Sequence, residues 1–516
     1  MLATVVGARS SAFPAYSYIG DMNKLYSITT TSYMERLPLY IHANKIQSFP
    51  IALSKGKTLD FCTYFNSFSL KKWQEYTTIK SVTLQLRLQG QFRITFTLHA
   101  KEGDRTLYEE TTPHYRDAAE YEHTFQTVDL SGDILSFSLQ ALSAQAFVME
   151  GAYYGEFARW QDRRIGIGIC TFKREKFVKK TTATLAAFQQ ENPWLQVLVV
   201  DNGRTLEPVP KGSLQVMPNP NYGGSGGFTR AIMEYEDRDD VDYVLLMDDD
   251  IDLEPSALER THSLLCGLRN EYKDSFLAGS MLILDKPTIQ HEKTAYWGKI
   301  RLYSNHTGAD LAATKALIEN EASYQHANTY GAWWYCCMPL KRMRQIGLPL
   351  PVFVKGDDME YGMRNHRPWL SLNGIGVWHQ GFTAKISDVV YYYSDRNMLI
   401  INNYADGCGW LTFTVSVCGR IVKRFLQGHF GALHMLDLAL QDYRGGFQTF
   451  TSIGADKKMK EIMTYAKQPG SILLPFSLLY HALLAILTYP SSHKAYIKFR
   501  QEKLKDNKFW KQYLGL

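Results

Sequence analysis

This 516-residue chain lacks zinc-type cysteine spacing, an uninterrupted apolar run of membrane-spanning length, an internal repeat and a low-complexity linker. Its seven cysteines (Cys62, Cys170, Cys266, Cys336, Cys337, Cys408 and Cys418) are odd in number and scattered. That excludes a disulfide framework as the basis of the fold and fits reduced thiols in a cytosolic protein. Met1–Tyr16 has no long apolar core behind a charged start, so no signal peptide is expected. The best spanning candidate, Ile472–Tyr489, is barely long enough and is interrupted by Pro475, Ser477, His481 and Thr488. A buried or interfacial helix is the expectation there. One-sided charge is also missing. Fifty-seven Lys and Arg against 51 Asp and Glu leave +6, too even a balance for a dedicated nucleic-acid binder, and no nucleic-acid partner is expected. Nearly all of that excess sits in Ser491–Leu516, where seven bases face two acids and Phe499, Trp510 and Tyr513 are interleaved. Such a tail suits either an anionic membrane surface or a solvated helix end.

What is present is globular: 45% hydrophobic, 21% charged and 13% aromatic, enough for two or three domains. Val82, Leu84, Leu86 and Leu88 alternate with polar residues, as do Phe92, Ile94, Phe96 and Leu98 beyond Gln89-Gly90-Gln91. This predicts a hairpin with one buried face. Val128, Leu130, Leu135, Phe137 and Leu139 extend the pattern, so a β-sandwich is expected over residues 1–155, either binding sugar or bracing its neighbour. From Arg164 the pattern changes. Apolar runs at Ile165–Cys170, Leu195–Val200 and Val244–Met247 alternate with helical stretches at Glu175–Gln190 and Phe228–Glu236. That alternation predicts a parallel sheet with helices on its faces over residues 156–390, with ligands beyond the carboxyl ends of its strands. Residues 391–516 read as helical.

Five motifs carry chemistry. Leu245-Leu246-Met247 runs into Asp248, Asp249 and Asp250. Three adjacent carboxylates repel one another, and a divalent cation with hard oxygen ligands, Mg²⁺ or Mn²⁺, removes that cost; a plain acidic turn would read the same way. Asn221-Tyr222-Gly223-Gly224-Ser225-Gly226-Gly227 precedes a helix, as a diphosphate cradle or a mobile loop would. Lys355-Gly356-Asp357-Asp358 pairs two carboxylates, which suits a general base with a positioning group, or a helix-capping pair. His379, in Val377-Trp378-His379-Gln380, either completes an Asp/Asp/His metal set or is structural. Trp333, Trp334 and Tyr335 are either core or a platform for the apolar face of a sugar.

In order, Thr171-Phe172-Lys173-Arg174-Glu175, Asp201-Asn202-Gly203, the glycine segment, the acidic triplet, the tryptophan pair, Gly356–Arg364 and Trp378–Gly381 resemble inverting GT-A glycosyltransferases. The nearer resemblance, supported by Tyr64-Phe65-Asn66-Ser67-Phe68, Trp73 and Thr77-Thr78, is to the bacterial galactofuranosyltransferases that polymerise cell-wall galactan. The fold class this implies is α/β: a Rossmann-like GT-A core with an N-terminal β-sandwich and a C-terminal helical region. The resemblance also implies residue roles. Asp248, Asp250 and His379 would hold Mn²⁺ or Mg²⁺, and Asp249 would contact the donor. Phe172, Arg174 and Asp201 would hold uridine, with Asn221, Gly223 and Gly224 along the donor. Asp358 would be the base and Asp357 its positioning partner. Trp333, Trp334 and Glu292 would meet the acceptor. Lys173 and Gly356 stand where close relatives usually carry Asn and often Trp, which leaves acceptor choice open. The implied activity moves galactofuranose from UDP-galactofuranose onto a lipid-linked cell-surface glycan, at the inner face of the cell membrane. Alternatives are a UDP-hexopyranose or dTDP-rhamnose donor in capsule or cell-wall synthesis, and an inert glycan-binding protein. The oligomeric state stays open, a homo-oligomer included.

Overall fold

The computed structural model describes residues 22–516 apart from 44, 46–47, 324, 382–386 and 467–473, and the side chains at 450, 455 and 456. The N-terminal stretch Met1–Tyr16 and the first two residues of Ile472–Tyr489 lie outside the described residues. Two antiparallel sheets built from Asn23–Phe157 pack face to face. One has the order Asn23–Ser27, Ala146–Phe157, Ile79–Gly90, Tyr115–Gln126, with Ile51–Leu53 also on Ala146–Phe157. The other has the order Thr58–Asp60, Ile134–Ala141, Phe92–Ala100, Gly103–Thr111. Alternate residues of both fill a common interior that includes Leu84, Leu86, Ile94, Phe96 and Phe137.

The expected hairpin across Gly90 does not form. Ile79–Gly90 pairs with Tyr115–Gln126 and Ala146–Phe157, whereas Phe92–Ala100 pairs with strands of the opposite sheet. Gly90, at φ +97°, turns the chain from one layer to the other, and a Cβ there would meet Gln145 O at 2.7 Å. Period-two burial is satisfied equally by pairing within a sheet or by facing across a sandwich, so the pattern alone does not choose. Val128 belongs to a 3-10 turn, Thr127–Asp129, and is exposed; its strand assignment is corrected.

The central sheet has six strands in the order Leu214–Pro218, Leu195–Asp201, Ile165–Thr171, Tyr243–Asp248, Tyr335–Pro339, Leu277–Ala278. The first four are parallel and the last two alternate in direction. A parallel sheet closed by antiparallel members, with helices between its strands, agrees with the expected fold class. Register sets the chemistry: Thr171 lies opposite Asp201, and Cys170 opposite Asp248, so the polar strand ends line up on one edge. A smaller sheet brings in His379. Asp252 pairs with Trp378, and Ile283 lies opposite His379.

The sandwich braces this corner. Arg36 pairs with Asp252 at 2.7 Å and lies 4.1 Å over the Trp378 ring, while Tyr40 donates to Glu254 at 2.6 Å. Buried Arg260 donates to Phe65 O at 2.6 Å and stacks on Tyr26.

Beyond 387 the chain is helical, with Asp388–Ile401, Trp410–Leu426, Phe430–Gly445, Leu474–Leu487, Tyr489–Lys503 and Lys508–Leu514 as its main elements. The aromatics of the basic tail turn inward. Trp510 is fully buried and donates to Pro349 O at 3.1 Å, Tyr513 packs on Tyr222, and Phe499 stacks on Phe447. They anchor the tail, so the reading of these rings as membrane contacts is corrected. No single helix among the described residues is long and apolar enough to cross a membrane.

The glycine segment is helix, not loop: Gly223–Glu236 begins on it. Gly223 has φ +70°, and a Cβ there would meet Phe353 O at 2.1 Å; one on Gly227 would meet Cys170 Sγ at 2.2 Å. Three of the four glycines therefore serve close packing, with Gly226 against Tyr222. Gly223→Ala is expected to cost about 1–3 kcal/mol or more, because neither φ nor the backbone oxygen can yield. Gly224→Ala, whose Cβ would make only ordinary contacts at 3.8–3.9 Å, is expected to melt like the parent. Thermal melting of the two variants side by side checks this.

Candidate active site

The strand Tyr243–Asp248 is fully buried until Asp248, so its end projects three carboxylates where the sheet meets solvent. His379 Nε2 lies 3.1 Å from Asp250 Oδ1 and 4.0 Å from Asp248 Oδ2. Ligand atoms of Asp248, Asp250 and His379 all fall within 4.8 Å of one another. His379 Nδ1 is 2.7 Å from the Gln380 carbonyl, which orients the ring with Nε2 toward the acids. Burial pushes Asp248 up to about 6. Burial would also raise Asp250, but the bond and charge of His379, then Arg174, hold it below the usual range. Asp249 faces away from this trio. It accepts from Thr171 Oγ1 at 2.6 Å and sits 3.4 Å from Arg174, which also pairs with Asp250. Two carboxylates and an imidazole nitrogen at this spacing fit a divalent cation, whose charge would relieve the desolvated Asp248.

Asp357 and Asp358 open the helix Asp357–Arg364, behind Gly356 at φ +91°. Asp358 Oδ1 accepts the Met359 N–H at 2.8 Å. Burial raises both acids; the Asp358 charge raises Asp357 further, and Asp248 adds to it. The pair therefore ionises above the ordinary carboxylate range. Asp358 lines a cavity of about 880 Å³ together with Glu292, His291, Trp334, Tyr330 and Lys355. Glu292 is buried, accepts from Ser304, and is raised to about 7 by burial and then by the Asp358 charge. The far wall is the helix Trp410–Leu426, through Ser416, Gly419, Arg420 and Lys423.

The structure thus brings Asp248, Asp249, Asp250, His379, Arg174, Asp357, Asp358, Glu292 and Trp334 to one region. Phe172 is 44% exposed beside Arg174, at the open end of Ile165–Thr171. Gly224 faces Asp357, with Oδ2 3.9 Å from where its Cβ would stand. Other residues are turned elsewhere. Both oxygens of Asp201 accept backbone N–H groups of its own turn, from Gly203, Thr205 and Leu206 at 2.6–2.8 Å. Asn221 Oδ1 accepts from Gly223 N at 3.1 Å and shapes the helix entry. Trp333 packs edge-on against Phe228 and Tyr361 and does not line the cavity, whereas Trp334 does and donates to Gly279 O. Residue-level reading missed Thr171, whose hydroxyl at a strand end was a usable signal. It also missed Arg36, 216 residues from its partner Asp252, for which the local sequence offers none.

A GT-A sheet carrying an Asp–Asp–His group at its strand ends, with a paired-acid helix facing a deep cavity, defines the class: a GT-A fold protein with a candidate divalent-cation site. The family model for the galactofuranosyltransferase 2 N-terminal region matches residues 13–155. Over 410 residues the chain is 27% identical to galactofuranosyltransferase GlfT2 of Mycobacterium tuberculosis, covering 74% of this chain and 63% of that protein. The GlfT2 of Mycolicibacterium smegmatis is 25% identical over 496 residues, 88% of this chain and 73% of the relative. The N-terminal region therefore matches that family's model, and most of the chain is similar to these galactofuranosyltransferases. The chain spans just under two thirds of the M. tuberculosis protein's length. Among solved structures, Staphylococcus aureus TarS aligns at TM-score 0.36 and 14% identity, over 64% of this chain and 55% of that one.

Proposed function

We propose that this chain is an inverting glycosyltransferase that moves galactofuranose from UDP-galactofuranose to a hydroxyl of a lipid-linked cell-surface glycan, working at the inner face of the cell membrane. The observation that carries the transfer chemistry is the convergence of Asp248, Asp250 and His379 with Asp358, whose charge is felt at Asp248 across the site. Residues Asp248, Asp250 and His379 would hold Mn²⁺ or Mg²⁺. A cation held there would supply Lewis-acid charge to the departing nucleoside diphosphate.

The protein's own groups do the rest. Arg174, with Asp249 behind it, adds a positive charge on the donor side. Asp358 takes the proton of the attacking hydroxyl as that oxygen reaches the anomeric carbon from the face opposite the leaving group. Asp357, beside it at the start of the same helix and raised by burial and by the Asp358 charge, positions the base. Trp334 and Glu292 offer the acceptor sugar an apolar face and a carboxyl acceptor. A single displacement needs no sugar–enzyme bond, and the arrangement supplies one base on the acceptor side. The donor sugar is carried over from the names of the relatives, and the glycan acceptor from the family resemblance of the sequence. Incubation with UDP-galactofuranose, UDP-hexopyranoses and dTDP-rhamnose plus Mn²⁺, reading released nucleotide by mass spectrometry, tests the donor. Release from dTDP-rhamnose or a pyranose alone would replace galactofuranose, and no metal-dependent release from any donor would leave an inert glycan binder.

The raised pKa of Asp358 gives a pH prediction. A base must be ionised, so activity is lost as pH falls through its pKa. The acid limb of kcat/KM is expected to have its midpoint clearly above 4, the ordinary carboxylate value of about 3.9, instead of at it. A rate profile from pH 4 to 8 at saturating Mn²⁺ reads it, and a limb at the ordinary value would remove Asp358 as the titrating base.

A further inference from the structure

The helix that opens with Asp357 and Asp358 is entered through a stretch of left-handed backbone. Phe353, Lys355 and Gly356 have φ of +75°, +63° and +91°. Two of the three are not glycine, and such residues keep this conformation only where their surroundings hold them in it. The holder is the helix Asp388–Ile401. Asn397 on that helix is fully buried, and its Nδ2 donates to Val354 O at 2.6 Å, Lys355 O at 2.8 Å and Val352 O at 3.1 Å. Among the described residues no backbone N–H donates to Val354 O or Lys355 O, so the asparagine supplies the donors these carbonyls need. Asn397 Oδ1 accepts from Arg396 Nε at 2.9 Å, which fixes the end of the amide that faces the turn. Arg396 Nη2 adds a bond to Val352 O at 2.7 Å. Gly356 lies directly on the same helix: a Cβ there would meet Ile401 Cδ1 at 2.5 Å. Tyr391, Ser394 and Met398, spaced to share one face of Asp388–Ile401, line the cavity that Asp358 also lines. One helix thus forms part of the cavity wall and ties down the approach to the paired acids.

We propose that Asn397 is a positioning residue for the transfer: by holding the carbonyls of residues 352–355 it sets where Asp358 stands relative to the acceptor wall. The clamp itself is read from the hydrogen bonds; its consequence rests on the proposed function, in which Asp358 is the base. A base works only when its oxygen meets the attacking hydroxyl at hydrogen-bond distance, and a displacement of about 1 Å can cost on the order of 100-fold in rate. The residue type follows from the partners. Three carbonyl oxygens gathered at one point need a neutral group with two hydrogens, which the asparagine amide has. An aspartate in its place would set acceptor oxygens against the same carbonyls, and a serine has a single hydrogen to offer.

The test uses the full chain carrying Asn397→Asp or, separately, Asn397→Ser. Amide hydrogen exchange is read over residues 352–358 and over Tyr243–Asp248, beside kcat with UDP-galactofuranose and the affinity for UDP in Mn²⁺. Each variant is expected to exchange at least about tenfold faster at 352–358 and like the parent at Tyr243–Asp248. Each is expected to lose at least about tenfold in kcat while UDP affinity stays within about threefold. Asn403→Ala separates positioning from stability. Its buried amide donates to Leu399 O and Ile400 O, away from the turn, so this variant is expected to melt below the parent with exchange at 352–358 and kcat unchanged. Exchange like the parent's in both Asn397 variants overturns the proposal. Faster exchange with kcat within about threefold of the parent overturns it too, as does an equal loss of kcat in Asn403→Ala. Exchange needs no donor, so a parent without turnover would sink the proposed reaction and not the clamp.

Discussion

Asp358→Asn is expected to lower kcat by about 10³-fold while the affinity for the nucleotide-sugar donor changes less than about threefold. The asparagine keeps the size of the side chain and can still accept the Met359 N–H at the start of the helix, so the fold has little reason to shift. What it loses is basicity. The lost factor corresponds to about 4 kcal/mol of transition-state stabilisation, within the range a positioned general base supplies. Donor binding is a separate matter, because the acid triplet and Arg174 lie on a different strand end. Isothermal titration with UDP alone, beside steady-state turnover, divides the two effects. A variant that turns over within a few fold of the parent would remove Asp358 from the mechanism. Asp357→Asn makes the matching control. Asp357 is raised by burial and then by the Asp358 charge, and as the positioning partner it gives up no contact with the attacking hydroxyl, so its asparagine variant is expected to lose less. Equal losses in the two would mean that the pair acts as one unit.

Much of this arrangement was legible in the sequence, and the legible part has a common cause. Ile165–Thr171, Leu195–Asp201 and Tyr243–Asp248 are parallel strands buried on both faces, so each shows as an unbroken apolar run that stops at its functional end. Asp248 and Asp250 stood out because carboxylates adjoining such a run have no stabilising reason to be there, and Asp358 because it is paired with Asp357 at the start of a helix. What escaped depends on distance along the chain. Burial periodicity says which face of a strand is inside, but not which strand lies next to it, hence the missed crossing at Gly90. Glycines read the same whether they admit a ligand or a neighbouring backbone. Here Gly223 meets the carbonyl of Phe353, 130 residues later. Trp333 and Trp334 are adjacent yet point to opposite sides of the chain, one into core and one into the cavity, so a pair had to be split that composition treats as one. The cavity's far wall comes from Trp410–Leu426, a helix distant along the chain whose sequence reads only as aromatic and helical.

Removing a ligand of the candidate cation site is expected to have the other large effect, and it should appear only when metal is present. Asp250→Asn preserves volume but replaces a charged oxygen that lies 3.1 Å from His379 Nε2. In the parent with Mn²⁺, the cation would couple the protein's carboxylates to the donor's diphosphate. In the variant that coupling weakens, and donor affinity in Mn²⁺ is expected to fall at least about 100-fold, at or beyond the 10–100-fold upper range seen for groups that merely support metal ligands. In EDTA the two proteins should bind UDP alike, since the remaining contacts are common to both. The difference between those conditions is the measurement. A loss of equal size with and without metal would mean that Asp250 acts through Arg174, its other partner, and not through a cation. Arg174→Gln resolves this: it keeps the Asp–Asp–His group intact, so its donor affinity should still respond to Mn²⁺. His379→Gln should repeat the metal-dependent loss from the opposite side of the site. His379 reaches the acidic pair through a second sheet, via the Asp252–Trp378 register that Arg36 clamps from the sandwich. Arg36→Ala would then be expected to weaken Mn²⁺-dependent donor binding without touching the site, by loosening the strand that carries the imidazole.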